Sequence, residues 1–214
     1  MRIAYFDAFS GIAGDMTVGA LLDAGADFTA LVAGLDSLGT GARFRFEKTK
    51  RKGIAATKFD IDFEDQKKHR HLPHIVKMIE AADLPARTKQ NAVLVFETLG
   101  KAEAQVHGTT IEKVHFHEVG AIDSICDIVG ACLGLELLGV EGVYCSPINT
   151  GSGTVEADHG VMPVPTPATA LLLAGKPIYA RGPETELTTP TGAALMAALS
   201  LGFGPVPAMS ISQA

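Results

Sequence analysis

Tryptophan is absent, the three tyrosines are scattered, and aromatic residues make up only 6% of the 214 positions. Stacking platforms for nucleic-acid bases need aromatic faces. The charge balance, 18 basic against 24 acidic residues for a net of -6, also runs against a polyanionic partner. Nucleic acid is therefore not an expected partner, whereas small anions remain open. Cysteine is scarce: Cys126, Cys132 and Cys145 are odd in number, lack a Cys-x-x-Cys spacing and sit in apolar stretches. They read as reduced core thiols rather than disulfides or a zinc knuckle. No apolar run approaches the roughly 20 residues that span a bilayer, and Met1-Arg2 leads straight into a strand-like run where a signal peptide would carry its apolar region. The expectation is a cytoplasmic chain with no membrane partner. Missing too are a Gly-Lys-Ser/Thr phosphate loop, a Gly-x-Gly-x-x-Gly turn, a Gly-x-Ser-x-Gly elbow and a cysteine with an evident histidine partner. Covalent catalysis has no support.

At 47% hydrophobic, the chain can build one domain with a sizeable core. Arg2 to Phe6 reads as a strand, followed by a glycine-containing loop and a helix ending at Gly25; Ala26 to Leu38 reads as a second helix. Alternation over Phe44 to Thr49 and Ala56 to Phe63, joined through Arg51-Lys52-Gly53, predicts a hairpin with a basic turn. Residues 72–82 and 86–106 read as two helices, Gly142 to Ile148 as a strand, and Asn149 to Gly160 as a glycine-rich hairpin or loop. Thr166-Pro167 and Thr189-Pro190 open two further helices. The predicted fold is α/β, a mixed sheet with flanking helices and a helical insertion at about 72–107, in a single domain over 1–214.

The densest chemistry lies at 113–127, where two histidines and three carboxylates interrupt what is otherwise a core-like stretch. Burying charge costs several kcal/mol unless it is paired or metal-bound. His115 and His117 alternate around Phe116 as in extended chain, placing both imidazoles opposite the phenyl ring. Glu118 follows. From Gly120 the pattern becomes a helix that is apolar nearly all round, broken by one stripe: Asp123, Asp127, Gly130 and Gly134 at i, i+4, i+7 and i+11. The glycines would admit another backbone beneath the carboxylates. Imidazole with carboxylate suits a borderline divalent ion such as Ni, Zn, Mn or Fe. The alternative is an Asp123 that caps or pairs with a cation and histidines satisfied in the core.

Three helix starts suit an anion: Ser10-Gly11-Ile12-Ala13-Gly14, Thr166-Pro167, and Thr189-Pro190-Thr191-Gly192. Ordinary capping explains any one of them. The first is flanked by Asp7 and Asp15, which suggests a second metal position or a metal-bridged phosphate; capping by Asp15 competes with that reading. The polar loop from Glu64 carries His69 and His71, with His74 following, and among so many cations it reads first as a solvated loop and second as a metal-binding tract. His159, in Asp158-His159-Gly160, reads as a turn residue.

The segments Tyr5-Phe-Asp-Ala-Phe-Ser-Gly-Ile-Ala-Gly-Asp-Met, Val114-His-Phe-His-Glu-Val-Gly-Ala-Ile-Asp-Ser-Ile-Cys-Asp-Ile-Val-Gly, His159-Gly-Val-Met-Pro-Val-Pro-Thr-Pro-Ala-Thr and Thr188-Thr-Pro-Thr-Gly-Ala-Ala-Leu together resemble the LarC family. Its members are nickel-insertion proteins that complete the nickel-pincer cofactor of lactate racemase. The resemblance implies a nickel chelatase of the lyase class that places Ni(II) into a pyridinium-3,5-bisthiocarboxylic acid mononucleotide, with CTP and a Mn or Mg ion assisting. On that footing His115, His117, Glu118 and Asp123 are candidate metal ligands, and the loop at 69–74 a nickel-gathering element. The substrate phosphate suits Ser10 to Asp15 or the helix start at Thr189. Family members continue into a second domain associated with CTP and metal, so the chain resembles their N-terminal half. Lactate racemase or another nickel-pincer enzyme is a candidate partner, and a homo-oligomer a candidate assembly. Two other readings stand beside this one: a metal-dependent phosphohydrolase, and a non-enzymatic nickel-binding or structural domain.

Overall fold

A computed structural model describes residues 1–63, 70–114, 116, 121–157 and 159–214. Strand β1 (Ile3–Phe6) enters helix α1 (Gly14–Asp23) through the Gly11 turn, and α2 (Phe28–Asp36) follows, with the Asp27 carboxylate accepting from the Ala30 amide. The predicted hairpin forms as β2 (Arg43–Arg51) and β3 (Ile54–Asp62). Its register pairs Arg43 with Asp62, Arg45 with Asp60 and Glu47 with Lys58 on one face. On the other face it pairs Phe44 with Ile61 and Phe46 with Phe59, so one side is a ladder of opposite charges and the other is apolar. The helical segment comprises α3 (Leu72–Ala81) and α4 (Ala86–Val106), divided at Asp83-Leu84-Pro85.

Helix α5 (Ile122–Leu137) is the centre of the fold. Residues 125 to 135 are buried without a break, as its all-round apolar pattern predicts, and it packs against α1, α2 and α4. The remaining elements are β4 (Gly142–Cys145), β5 (Ile148–Asn149), β6 (Thr154–Ala157), β7 (Gly160–Pro163), α6 (Pro167–Leu172), β8 (Ile178–Tyr179), α7 (Pro190–Leu199) and β9 (Ser200–Phe203). A parallel sheet of order β1-β4-β9 holds the middle, β2-β3 and β6-β7 are antiparallel pairs, and β5-β8 is a parallel pair. The fold is α/β with both strand senses, distributed over separate sheets rather than gathered in one.

Gly142 to Ile148 does not run as one strand. Pro147 supplies no amide, and the chain changes partner there: the Ser146 amide still bonds Phe6 O, at 2.9 Å, whereas Ile148 bonds Pro177 O, also at 2.9 Å. Phe116 is 1% exposed and stands against α4, where a Cβ on Gly100 would lie 3.3 Å from its ring. The alternation read at 115–117 concerns His115 and His117 as well, and these, unlike Phe116, lie outside the described residues. Truncation there removes a full aromatic contact, so Phe116→Ala is expected to cost about 3–5 kcal/mol of stability in urea unfolding. A loss under about 1 kcal/mol would mean that the ring is not anchored in this core.

Candidate functional site

Three helix starts meet at one cavity of about 440 Å³. Helix α1 contributes Ala13, Gly14 and Asp15; α5 contributes Asp123, Ser124 and Asp127; and α7 contributes Thr189, Pro190 and Thr191. The hairpin supplies an opposing wall of Phe59, Asp60, Ile61 and Phe63, and Glu186 closes one side. The starts of α1 and α7 are locked together: the Thr189 amide bonds Ile12 O at 3.1 Å, and a Cβ on Gly192 would overlap that same carbonyl. Gly11, at φ +81°, lets the loop cross Leu187 at comparable closeness. Each helix start turns the positive end of its dipole toward the cavity.

The carboxylates occupy two depths. Asp15 and Asp123 are exposed at the rim, while Asp127 is only 9% exposed. Gly14 makes that depth available, because a Cβ there would stand 2.6 Å from the Asp127 Cβ. The Asp127 carboxylate accepts the Asp15 amide, and its Oδ1 has no hydrogen-bond partner among the described residues. Burial pushes the Asp127 carboxyl up to about 8, with the neighbouring charges of Asp15 and Asp123 adding to the rise. A buried carboxylate with a spare oxygen is a place for a cation, and the hydroxyls of Thr189 and Thr191, 2.9 Å apart, add oxygen donors.

Gly14, Asp15, Asp123, Asp127, Thr189 and Thr191, read in the sequence as separate metal and phosphate candidates, line one cavity, and Gly192 serves by allowing the close crossing beneath. Ordinary roles coexist with these: Thr189 Oγ1 accepts the Gly192 amide at 3.2 Å as a helix cap, and Asp123 Oδ1 accepts the Ser124 amide at 2.7 Å. Asp7 is not brought to the others; it lines a separate cavity beside β1. Ser10 is exposed on the preceding loop and does not line the site. The Thr166 hydroxyl bonds the Thr169 hydroxyl at 3.0 Å, and no side-chain cap forms there.

His69, His115, His117 and Glu118 lie outside the described residues, as does Asp158. His71 and His74 open α3, their ring centroids 6.0 Å apart, and His71 Nδ1 is 3.2 Å from Val114 O. An antiparallel bridge joins Arg70 to Phe116. Among the described residues, no group of three or more His, Cys, Asp or Glu side chains is arranged to hold a metal ion. Sequence reasoning missed Phe59, Asp60, Ile61, Phe63 and Glu186, whose place at the cavity follows from the packing of the hairpin and of the segment before α7. It also missed the approach of His107 to His159, with ring centroids 5.0 Å apart. Burial pushes all three thiols up to about 12, consistent with their reading as inert core residues.

Fold and site together define an α/β protein with a pocket at converging helix starts, lined by carboxylates, hydroxyls and the apolar side chains of the hairpin. The profile of the nickel insertion protein family matches residues 4–214, and the chain belongs to that family. Relatives in two strains of Desulfitobacterium hafniense, named pyridinium-3,5-bisthiocarboxylic acid mononucleotide nickel insertion protein, are 48% identical over 214 residues, covering 100% of this chain and 53% of their own length. A Geobacter metallireducens relative is 49% identical over 215 residues, covering 99% of this chain and 55% of its own. The chain spans about half the length of the curated relatives it matches. No solved structure matches it. Among the described residues, no helix is long and apolar enough to cross a membrane.

The raised Asp127 carboxyl carries a signed consequence. Its usual value is 3.8 and its folded value about 8, so between those values the folded chain keeps a proton that the unfolded chain releases. Metal-free protein should therefore lose stability as pH rises through that window, by on the order of a few kcal/mol at about 1.4 kcal/mol per unit. Asp127→Asn is expected to lack this slope: about as stable as the parent near pH 4, and the more stable of the two near pH 9 in urea titrations. Parallel pH profiles for the two proteins would place the carboxyl in water.

Proposed function

We propose that this chain is the part of a nickel insertion protein that holds Ni(II) and an anionic mononucleotide close together, so that the metal passes into the nucleotide's thiocarboxylate sulfurs. The observation that carries the reading is the convergence of three helix starts on a cavity with the buried, incompletely satisfied Asp127 at its floor. A volume of about 440 Å³ falls within the range of small-ligand sites. The start of α7, with Thr189 and Thr191, suits the phosphate. The wall of Phe59, Ile61 and Phe63 suits an aromatic pyridinium ring, whose positive charge is attracted both to phenyl faces and to the surrounding carboxylates. The proposed acceptor is the mononucleotide named for the Desulfitobacterium relatives.

The nickel is cargo, and its proposed holders are imidazole and carboxylate: His115, His117, Glu118, Asp123 and Asp127, with His69, His71 and His74 gathering the ion. Support comes from connectivity. Phe63 and Asp123, which border these segments, line the cavity, and Arg70 bridges Phe116. Nitrogen and oxygen donors hold Ni(II) less firmly than soft sulfur does, so passage to thiocarboxylate runs downhill. The chelatase activity with CTP and Mn or Mg is proposed for the longer family architecture, in which this chain supplies the nickel and substrate pocket. Delivery to lactate racemase or another nickel-pincer enzyme would follow.

One observation favours a second reading. The donors described at the cavity are all oxygens, which suit Mg or Mn and a phosphate ester, so a metal-dependent phosphohydrolase is the competing proposal. Calorimetric titration of the metal-free chain with Ni(II) separates them. The expected result is stoichiometric binding that weakens at least about tenfold in the folded His115→Ala/His117→Ala variant, and that falls as pH drops through the histidine range, because protonated imidazole cannot ligate. Unchanged nickel affinity in the variant, or phosphate release with Mn or Mg and no need of nickel, would sink the chelatase reading.

Asp127→Asn supplies a further check with the opposite sign to its effect on stability. Nickel or Mn affinity near pH 9 should fall by on the order of tenfold or more, because the variant carries no charge at the cavity floor. Retained affinity would remove Asp127 from the donor set.

A further inference from the structure

The second large cavity, about 950 Å³, lies between β1, the outer side of α1 and residues 207–214. Strand β1 is an edge: among the described residues it pairs only with β4. In a parallel pair, alternate residues turn their backbone groups toward the partner. Arg2 O accepts the Glu141 amide at 2.8 Å and Phe6 O accepts the Ser146 amide at 2.9 Å. The intervening Ile3 and Tyr5 therefore turn their amides and carbonyls outward, into the cavity. Its walls are Ala20, Ala24, Leu138, Val140 and the Tyr5 and Tyr144 rings, a largely apolar surface. Residues 207–214 cross the opening without forming any backbone hydrogen bond among the described residues, and Ile211 is 72% exposed.

We propose that this edge receives a strand from the polypeptide that the longer members of the family carry outside the matched half, extending the sheet to four strands. Three observations select that occupant. The relatives contain nearly as much chain again as the part matched here. The crossing segment, residues 207–214, forms no backbone hydrogen bond among the described residues, so a single incoming strand displaces no backbone pairing there. A second copy pairing β1 to β1 would have to displace two crossing segments, one from each protomer. The recognition is backbone to backbone, with the apolar wall taking alternate side chains of the incoming strand. Covering the edge also removes a template for aggregation. The inference rests on the edge and on the relatives' length, and is independent of what the acidic cavity binds.

Amide-resolved hydrogen exchange tests it on two intact proteins, this chain and the full-length Desulfitobacterium hafniense relative, with the Val143 and Tyr144 amides of β4 as the internal reference in each. The amides of Ile3 and Tyr5 are expected to exchange at least about tenfold faster than that reference in this chain, and at a rate comparable to it at the matching positions of the relative. The protection in the relative should not change on dilution. Equal exposure of the edge in both proteins would overturn the proposal. Protection that disappears on dilution would overturn it as well, by assigning the edge to a second copy.

Discussion

The distance between α1 and α5 governs the rest of the structure. Gly14 allows the Asp127 side chain to rise against the start of α1, a Cβ on Gly130 would lie 3.2 Å from Val18, and one on Gly134 would lie 3.0 Å from Leu21. Two helices this close exclude water along their shared line, and the carboxylate at its upper end is left in a dry place with one oxygen unsatisfied. The neighbouring helix is clamped from its other side, where Ile12 lies under Gly192 and Gly11 under Leu187. Cavity floor, rim and helix starts are thus consequences of glycine at five positions, at three of which, Gly11, Gly14 and Gly192, a Cβ would overlap its neighbour.

Electrostatics then balance within a small volume. Each helix start presents roughly half a positive charge, which tempers the repulsion among Asp15, Asp123 and Asp127 without supplying a mobile counter-ion. The wall opposite carries a polar contact with α1 as well. Lys48 and Thr57 of the hairpin meet Asp23 of α1, and their hydrogen bonds, that of Lys48 first, hold the Asp23 carboxyl below its usual range. Such a partly exposed ion pair contributes only about 0.2–1 kcal/mol. Floor and wall are both close-packed, since a Cβ on Gly19 of α1 would stand 2.6 Å from Thr57 O and Phe59 is 2% exposed, and the ion pair adds to that packing.

What could be read from the sequence follows the same division. The Asp123-Asp127-Gly130-Gly134 stripe stood out because a helix that is apolar on every other face makes its few small and charged positions visible, and the hairpin because its alternation is strict. Thr189 and Thr191 were readable from local capping chemistry. Glu186, Asp60 and Phe63 were not, since nothing local distinguishes them from surface residues and only the docking of their elements brings them to the cavity. Asp7 and Asp15 looked like one pair across a tight turn, yet the turn at Gly11 reverses the chain and sends them to opposite cavities. The break at Pro147 was written in the sequence as a missing amide, but the change of partner from β1 to β8 depends on a strand far along the chain.

The three cysteines, buried within or beside the core helix and sheet, have one more implication. A metal ion arriving from solvent meets no thiolate, because every thiol of this chain is sealed behind packed side chains and kept protonated. A carrier with accessible thiolates would trap a thiophilic ion and release it slowly. By withdrawing its thiols from the surface, this chain leaves any arriving ion to donors that release it more readily.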